Sequence, residues 1–584
     1  VASEIRIELK AAKGRNCRRH VRFGCPVLIL SMAAAGCGGS SRFPLREPML
    51  RDDDERPFSP APEEYVSPFA WDAANQTVFR PIARVFAVDP ARRAVNVNAC
   101  DEVADSSWFT NRLGRADLQP HEVEEGACGR EQLDPNMPDG SWVIDKGKDN
   151  GANPGFRVNV PGVGKFMLKI DPVEEPERAT GATSVASRIY HAVGYFAPCD
   201  TVVYFRPSIL KLKPGLTVTN NEGLTTPFDT AALERVLKNA SHRNGLVRMV
   251  ASKWLPGKPI GPFTYDGVRS DDPNDVVAHE DRRELRGARL IAAWLNHFDS
   301  REQNTMDVFL SADAARKDGP GFVRHYILDL GDCFGSVWTV DGLSRRFGHS
   351  YMLDASYVAS DFVTLGAEVR PWERAQRVGG VFNYFSARDF DPESWRGEYP
   401  NPAFARMRED DGAWMARILA RFNNRLVAAA VRVGAYDEPS TRYLTETLIA
   451  RRDAILRRYL TRLSPIGNLT VERNRLCGTD WARQSGVIPR EVVSFRAHYY
   501  AGQALMRQGD LPVNAAPSGE LCVELRHLSP DGAIADTDPS RYRIVDIFNG
   551  QARGPVRAHL YDLGQARGFR LAGIERLEET YPPR

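Results

Sequence analysis

Between Ser141 and Pro207 the chain changes its period twice. The runs "SWVIDKGK", "GFRVNV" and "GKFMLKID" alternate apolar and polar residues, and "DNGANP" and "PGV" separate them. Alternation is the signature of a half-buried strand, and turn residues in both gaps predict an antiparallel meander. In "ATSVASRIYHAVGYF" the period becomes helical, with Val185, Ile189 and Val193 on one face, and "TVVYFRP" returns to strand. The resulting order, three strands, a helix and a strand, carries Lys169 on the third strand.

A second helix is predicted over "EDRRELRGARLIAAWLNH", with Leu285, Ala288, Ala292 and Leu295 on its apolar face and Arg and Glu opposite. It runs into "LNHFDSREQNTMD", where Asp299 and Asn304 stand five positions apart. After "TMDVFLS" the alternating run "GFVRHYILDLGDCFGS" delivers Asp329 at a strand end, just before Gly331. Further helices are expected at Trp414–Val433 and Thr441–Leu460, with Arg-rich outer faces. From about Val471 short alternating segments such as "YRIVDIF" and "VRAHLYDL" predict a small β domain.

The 584 residues are enough for several domains, and 77 basic against 75 acidic residues give a net charge of only +2. That balance supplies no general field for a polyanion, so no nucleic-acid partner is expected. The first forty residues differ in kind. The basic "KGRNCRRHVRF", the short apolar "CPVLILSMAAAG" and the small residues Ala34, Ala35 and Gly36 before Cys37 read as a bacterial export signal that resembles a lipoprotein signal. The expectation is an exported protein of the cell envelope, attached to the membrane only through lipid on Cys37. Signal peptide 1–36, a polar, Pro-rich disordered tether 37–70 and an N-terminal extension 71–140 would precede 141–255, 256–465 and the β domain 466–584. Of the six cysteines outside the signal and anchor, Cys100 and Cys128 are closest in sequence and are the first expected disulfide; six free thiols is the alternative.

Four polar residues follow in chain order: Lys169, Asp299, Asn304 and Asp329. Phosphoryl transfer uses such a set. A strand Lys holds nucleotide phosphates, one Asp accepts the proton of the attacking hydroxyl, and Asn and a second Asp offer hard oxygens to Mg²⁺. Five positions let one side chain face the nucleophile while the other faces the metal.

"FMLKI", "NHFDSREQN" and "ILDLG" in this order resemble the protein-kinase-like superfamily, with Leu in place of Phe in the metal-binding segment. The loop lacks His-Arg-Asp and is closer to the HipA-type, phosphoinositide-type and CotH-type branches. The resemblance covers about Ser141 to Leu460. It implies an α+β, two-lobed kinase-like fold carrying the C-terminal β domain, and transfer of phosphate from ATP to a hydroxyl acceptor with Mg²⁺ or Mn²⁺. Lys169 would bind the nucleotide, Asp299 would be the base, and Asn304 and Asp329 the metal ligands. Gly147, Gly151 and Gly155 would belong to the hairpin over the phosphates. Kinase-like folds carry a Glu in the helix after the Lys strand, but no acid lies between Thr180 and Ala197; Glu177 is the nearest substitute. Three other readings stay open: a pseudokinase or non-enzymatic surface-binding lipoprotein, adenylyl transfer by the same four residues, and a glycosidase pair of Asp299 and Asp329.

Overall fold

The computed structural model describes residues 42–66, 69–85, 92–129, 132–148, 154–171, 175–219, 225–313, 316, 319–335, 341–378, 380–489, 494–528 and 534–579. The three alternating runs form β1 (Trp142–Lys148), β2 (Gly155–Val160) and β3 (Gly164–Lys169). β2 and β3 pair antiparallel with Phe156 opposite Leu168 and Gly155 opposite Lys169. Next come α1 (Arg178–Val193), which ends at Gly194 with φ 132°, β4 (Asp200–Phe205) and β5 (Leu246–Lys253). The sheet order is β4-β5-β3-β2-β1, with the short strand Leu210–Leu212 outside β1 and His242–Arg243 on β5. One face buries Trp142, Ile144, Phe156, Val158, Phe166 and Leu168 against residues of β4 and β5. This alternate burial fixes the strand register, because a slip of one residue would turn all of these side chains to solvent.

α2 (Arg283–Leu295) stops at Asn296, a left-handed residue with φ 50°, a conformation that Asn tolerates better than most residues. The loop 296–304 leads into the antiparallel pair β6 (Thr305–Ser311) and β7 (Gly321–Ile327), in which Thr305 faces Ile327. That register returns the chain to the start of β6, and Leu328 N donates to Asn304 O at 2.8 Å. Residues 24 positions apart thus become neighbours (328 − 304 = 24).

Around α2 pack α3 (Glu409–Arg421), α4 (Asn424–Arg432) and α5 (Glu438–Tyr459). The single helix expected at 414–433 is in fact two. Asn423 breaks it by accepting from Arg425 N and Leu426 N, an N-cap that restarts the helix. The polar face of α2 is not solvated either: Arg283 and Arg286 are buried and ion-paired to Asp101, Asp281 and Asp411, and Asp101 and Asp411 are too distant in sequence for a local pattern to reveal.

Residues 42–66, expected as part of a tether, lie along the fold. Phe43 rests on Gly573 and its amide donates to Tyr542 Oη at 2.7 Å. Asp54 is buried on the Ser107 amide and hydroxyl, and Phe58 N donates to Gly321 O. The extension is also integral, since Trp108, Phe109, Leu113 and Val123 share a core with α1 and α2. Two sheets follow. β8 (Ile466–Glu472), β9 (Arg475–Asp480), β12 (Val513–Ala515) and β13 (Glu520–Glu524) pair in the order β8-β9-β13-β12. β10 (Arg496–Ala501), β11 (Met506–Leu511), β14 (Tyr542–Phe548), β15 (Val556–Asp562) and β16 (Phe569–Arg576) pair in the order β11-β10-β14-β15-β16.

The disulfides are Cys128–Cys199 and Cys477–Cys522, while Cys100 and Cys333 are free. The expected Cys100–Cys128 pair is therefore corrected. Cys477 and Cys522 face each other across β9 and β13, and Cys128 meets the residue just before β4; tertiary pairing, not sequence separation, decides both. The architecture is mixed α+β with several sheets. Among the described residues no helix is long and apolar enough to cross a membrane.

Candidate active site

The sheet and the β6–β7 pair bring their polar residues to one place. Lys169 Nζ, at the end of β3, lies 3.0 Å from Asp329 Oδ1, just past β7. Burial opposes the Lys169 charge, but the Asp329 carboxylate, with Asp200 and Asp332 behind it, outweighs that cost and holds its pKa above the ordinary lysine value. Asp329 is held below the usual carboxylate range, first by the Lys169 charge and then, against burial, by its hydrogen bond to Lys169 and by Lys148. Asp329 sits at φ 51°, and its side chain remains 57% exposed while Lys169 is at 21%.

Asp299 and Asn304 close the loop after α2. Asn304 Nδ2 donates to the Asp299 carbonyl at 2.8 Å, which ties the loop across its five-residue span and leaves Oδ1 as the ligand-type end of the amide. The Asp299 carboxyl is only 4% exposed and stands 2.8 Å from Arg301 Nε. Arg301 also meets Glu398 Oε2 at 2.9 Å, and Glu398 N donates to Phe298 O at 2.7 Å. Burial pushes the Asp299 carboxyl well above its ordinary pKa; Arg301 works against this, while Glu398 and Asp332 add to it. His297 is buried with Tyr190 Oη 2.9 Å from Nδ1, and burial pulls its pKa down to about 4. It is a structural, neutral imidazole.

Gly155 faces Lys169 in the β2–β3 ladder, and a Cβ there would lie 2.0 Å from Leu168 O, so close backbone packing requires the glycine. At Gly147 a Cβ would meet the Phe228 ring at 2.8 Å. Gly151 and Cys37 lie outside the described residues. Glu177 does not pair with Lys169: it precedes α1 with φ 69°, and Arg243 Nη2 donates to both its oxygens, at 2.7 and 2.9 Å. In place of an acid, α1 offers Arg178, which is bound to Glu175 and donates to Gly331 O at 3.1 Å.

Lys169, Asp329 and Asn304 are of the residue types that hold a nucleotide phosphate with one hard divalent cation. Lys169 supplies a cation, and Asp329 and Asn304 supply a carboxylate and an amide oxygen. Among the described residues no group of three or more His, Cys, Asp or Glu is arranged to hold a metal alone. Mg²⁺ needs none, since it is commonly held by one or two carboxylates together with substrate phosphates and water. Sequence reading passed over Arg301 and Glu398. Arg301, two positions after Asp299, was visible as a local signal; Glu398, nearly one hundred positions on, was not. The helical segment that includes Phe69–Ala74 and Arg80–Val85 also reaches this loop, through Arg80–Glu302 at 2.6 Å and Gln303 Nε2 to Asp72 at 2.8 Å.

No family model, curated protein or solved structure matches this chain.

Proposed function

We propose that this chain is a kinase-like phosphotransferase that uses ATP with Mg²⁺ or Mn²⁺ to phosphorylate a hydroxyl-bearing acceptor. The observation that carries the reading is the Lys169–Asp329 ion pair, which joins the third strand of the sheet to the acid after β7. The sheet order β4-β5-β3-β2-β1 and the succession of α2, the 296–304 loop, a strand pair and Asp329 also support a two-lobed kinase-like fold. In this reading Lys169 holds the phosphates, Asn304 and Asp329 present oxygens to the cation, and Asp299 orients the acceptor hydroxyl and takes its proton. The bound cation would supply charge neutralisation at the phosphates.

A second reading, a pseudokinase or a non-enzymatic binding lipoprotein, is favoured by two observations. Lys169 has no acidic partner from α1, and burial raises the pKa of the Asp299 carboxyl. Export with a lipid anchor at Cys37 remains part of the proposal; the two disulfides support an oxidising compartment. The test is a thermal-shift titration with ATP plus Mg²⁺ or Mn²⁺, repeated on Lys169→Met. Ligand at one hundred times its Kd adds about 2.7 kcal/mol of stability, and the variant should lose that gain. No shift with either metal at millimolar nucleotide would reject the nucleotide site.

A further inference from the structure

Away from Lys169, a cleft of about 600 Å³, lined by polar and apolar side chains alike, lies where the extension, the helical region and the segment after β9 meet. Its walls come from 117–120 of the extension, from the turn between α3 and α4 with Arg421 and Arg425, and from the short helix Trp481–Gln484 that follows β9. Arg421 is fixed in place: its Nη1 donates to Leu113 O at 3.1 Å, and its guanidinium lies 4.4 Å over the Trp481 ring. Among the described residues neither Arg421 nor Arg425 has a carboxylate in ion-pair contact. Asp117 acts on Arg421 only at longer range, and burial, the larger effect, depresses the Arg421 pKa. A half-buried guanidinium with no carboxylate in ion-pair contact is costly, and an entering anion would relieve that cost. The amides at the start of α4 are already capped by Asn423, so an anion would meet the guanidinium groups and not a bare helix end. Arg452 is a wall and not an anchor, with its donors spent on Phe422 O, Asn424 Oδ1 and Asp453.

We propose that this cleft binds an oxyanion, phosphoryl or carboxylate, carried on a hydroxyl-rich body of saccharide size, with Arg421 and Arg425 as the anion-binding fork. Guanidinium groups match the planar geometry of both oxyanions. The volume far exceeds that of an oxyanion, and Gln119, Asn423, Gln484 and Ser485 line the remainder with groups suited to hydroxyls. The site is independent of the kinase-like reading.

Calorimetric titration of the full chain with glucose 6-phosphate, glucuronate, inorganic phosphate and glucose tests it. Saturable binding of at least one of the two anionic sugars is expected. Inorganic phosphate should bind more weakly and glucose not measurably; comparing the two anionic sugars separates phosphoryl from carboxylate. The exposed Arg425→Ala should weaken binding by roughly tenfold or more. Asp117→Asn neutralises the carboxylate in the cleft lining and should tighten binding roughly two- to fivefold. Arg421→Met should abolish binding, and because it also removes the Trp481 contact, the two surface variants decide if it misfolds. Lys169→Met should change nothing at this cleft. No saturable binding of either anionic sugar, affinity unmoved by both surface variants, or loss of binding in Lys169→Met would each overturn the proposal.

Discussion

Asp101 is the best single position at which to test whether the extension, the helices and the C-terminal sheets stand or fall together. Its carboxylate meets Arg283 of α2 at 2.6 Å, Arg417 of α3 at 2.9 Å and Arg576 of β16 at 2.7 Å. The three cations hold its pKa far below the ordinary value against the penalty of burial. Asp101→Asn keeps the volume and also keeps the backbone, since Asp101 sits at φ 59° and Asn accepts the left-handed region. The charge is lost, and one acceptor oxygen becomes an NH2 donor, so either Arg283 or the Arg417 and Arg576 pair also loses its hydrogen-bond acceptor. Arg283 retains Asp411, and Arg576 retains the carbonyls of Ser464 and Ile466, but Arg417 is left without its carboxylate partner. Breaking one buried pair by removing a partner costs about 3–5 kcal/mol, and the retained contacts of Arg283 and Arg576 argue against multiplying that by three. The assay is urea unfolding followed by tryptophan fluorescence, with hydrogen exchange on β16 and on the extension. The expected result is a loss of about 3–5 kcal/mol, raised exchange on both segments, and partial recovery in Asp101→Asn with Arg417→Met. A loss below about 1 kcal/mol, or exchange that rises on one segment alone, would refute the reasoning.

Three further outcomes are expected. Asp329→Asn should weaken metal-dependent nucleotide binding, whereas Asp299→Asn should leave binding nearly intact and lower transfer of labelled γ-phosphate by orders of magnitude; equal effects on binding would remove the division of roles. Joint replacement of Cys128 and Cys199 by Ala should cost about 2–5 kcal/mol in urea unfolding, because the bridge closes a long loop of 71 positions; an unchanged midpoint would show that it does not restrain the unfolded chain. Burial holds His191 and His297 down to about 3 and about 4, below the roughly 6.5 of an unfolded histidine. The unfolded chain therefore binds more protons between these values, and stability present above about pH 6.5 should fall as pH drops toward 4. His297→Asn should flatten that slope, and identical slopes in both proteins would contradict the assignment.

What could be read locally was read from period and punctuation. The alternation that set β1, β2 and β3 also put Lys169 on the third strand, and the apolar spacing of α2 with Asn296 at its end located the loop holding Asp299 and Asn304. These signals survive in a single sequence because each depends on neighbours within a few positions. The β6–β7 register that seats Asn304 beside the residue preceding Asp329, the Lys169–Asp329 pair, and the diversion of Glu177 to Arg243 were all decided by tertiary packing. So were the burial of Arg283 and Arg286, the fixing of 42–66 along the fold and the choice of cysteine partners. The physical reason is common to them. A charge or a thiol carries no period that names its partner, and its energy depends on which distant group shares its low-dielectric surroundings. The sequence thus determined which residues could do chemistry and on which elements they ride. Only the packed structure decided that Lys169 meets Asp329, that Glu398 acts on Asp299, and that Arg421 and Arg425 line one cleft.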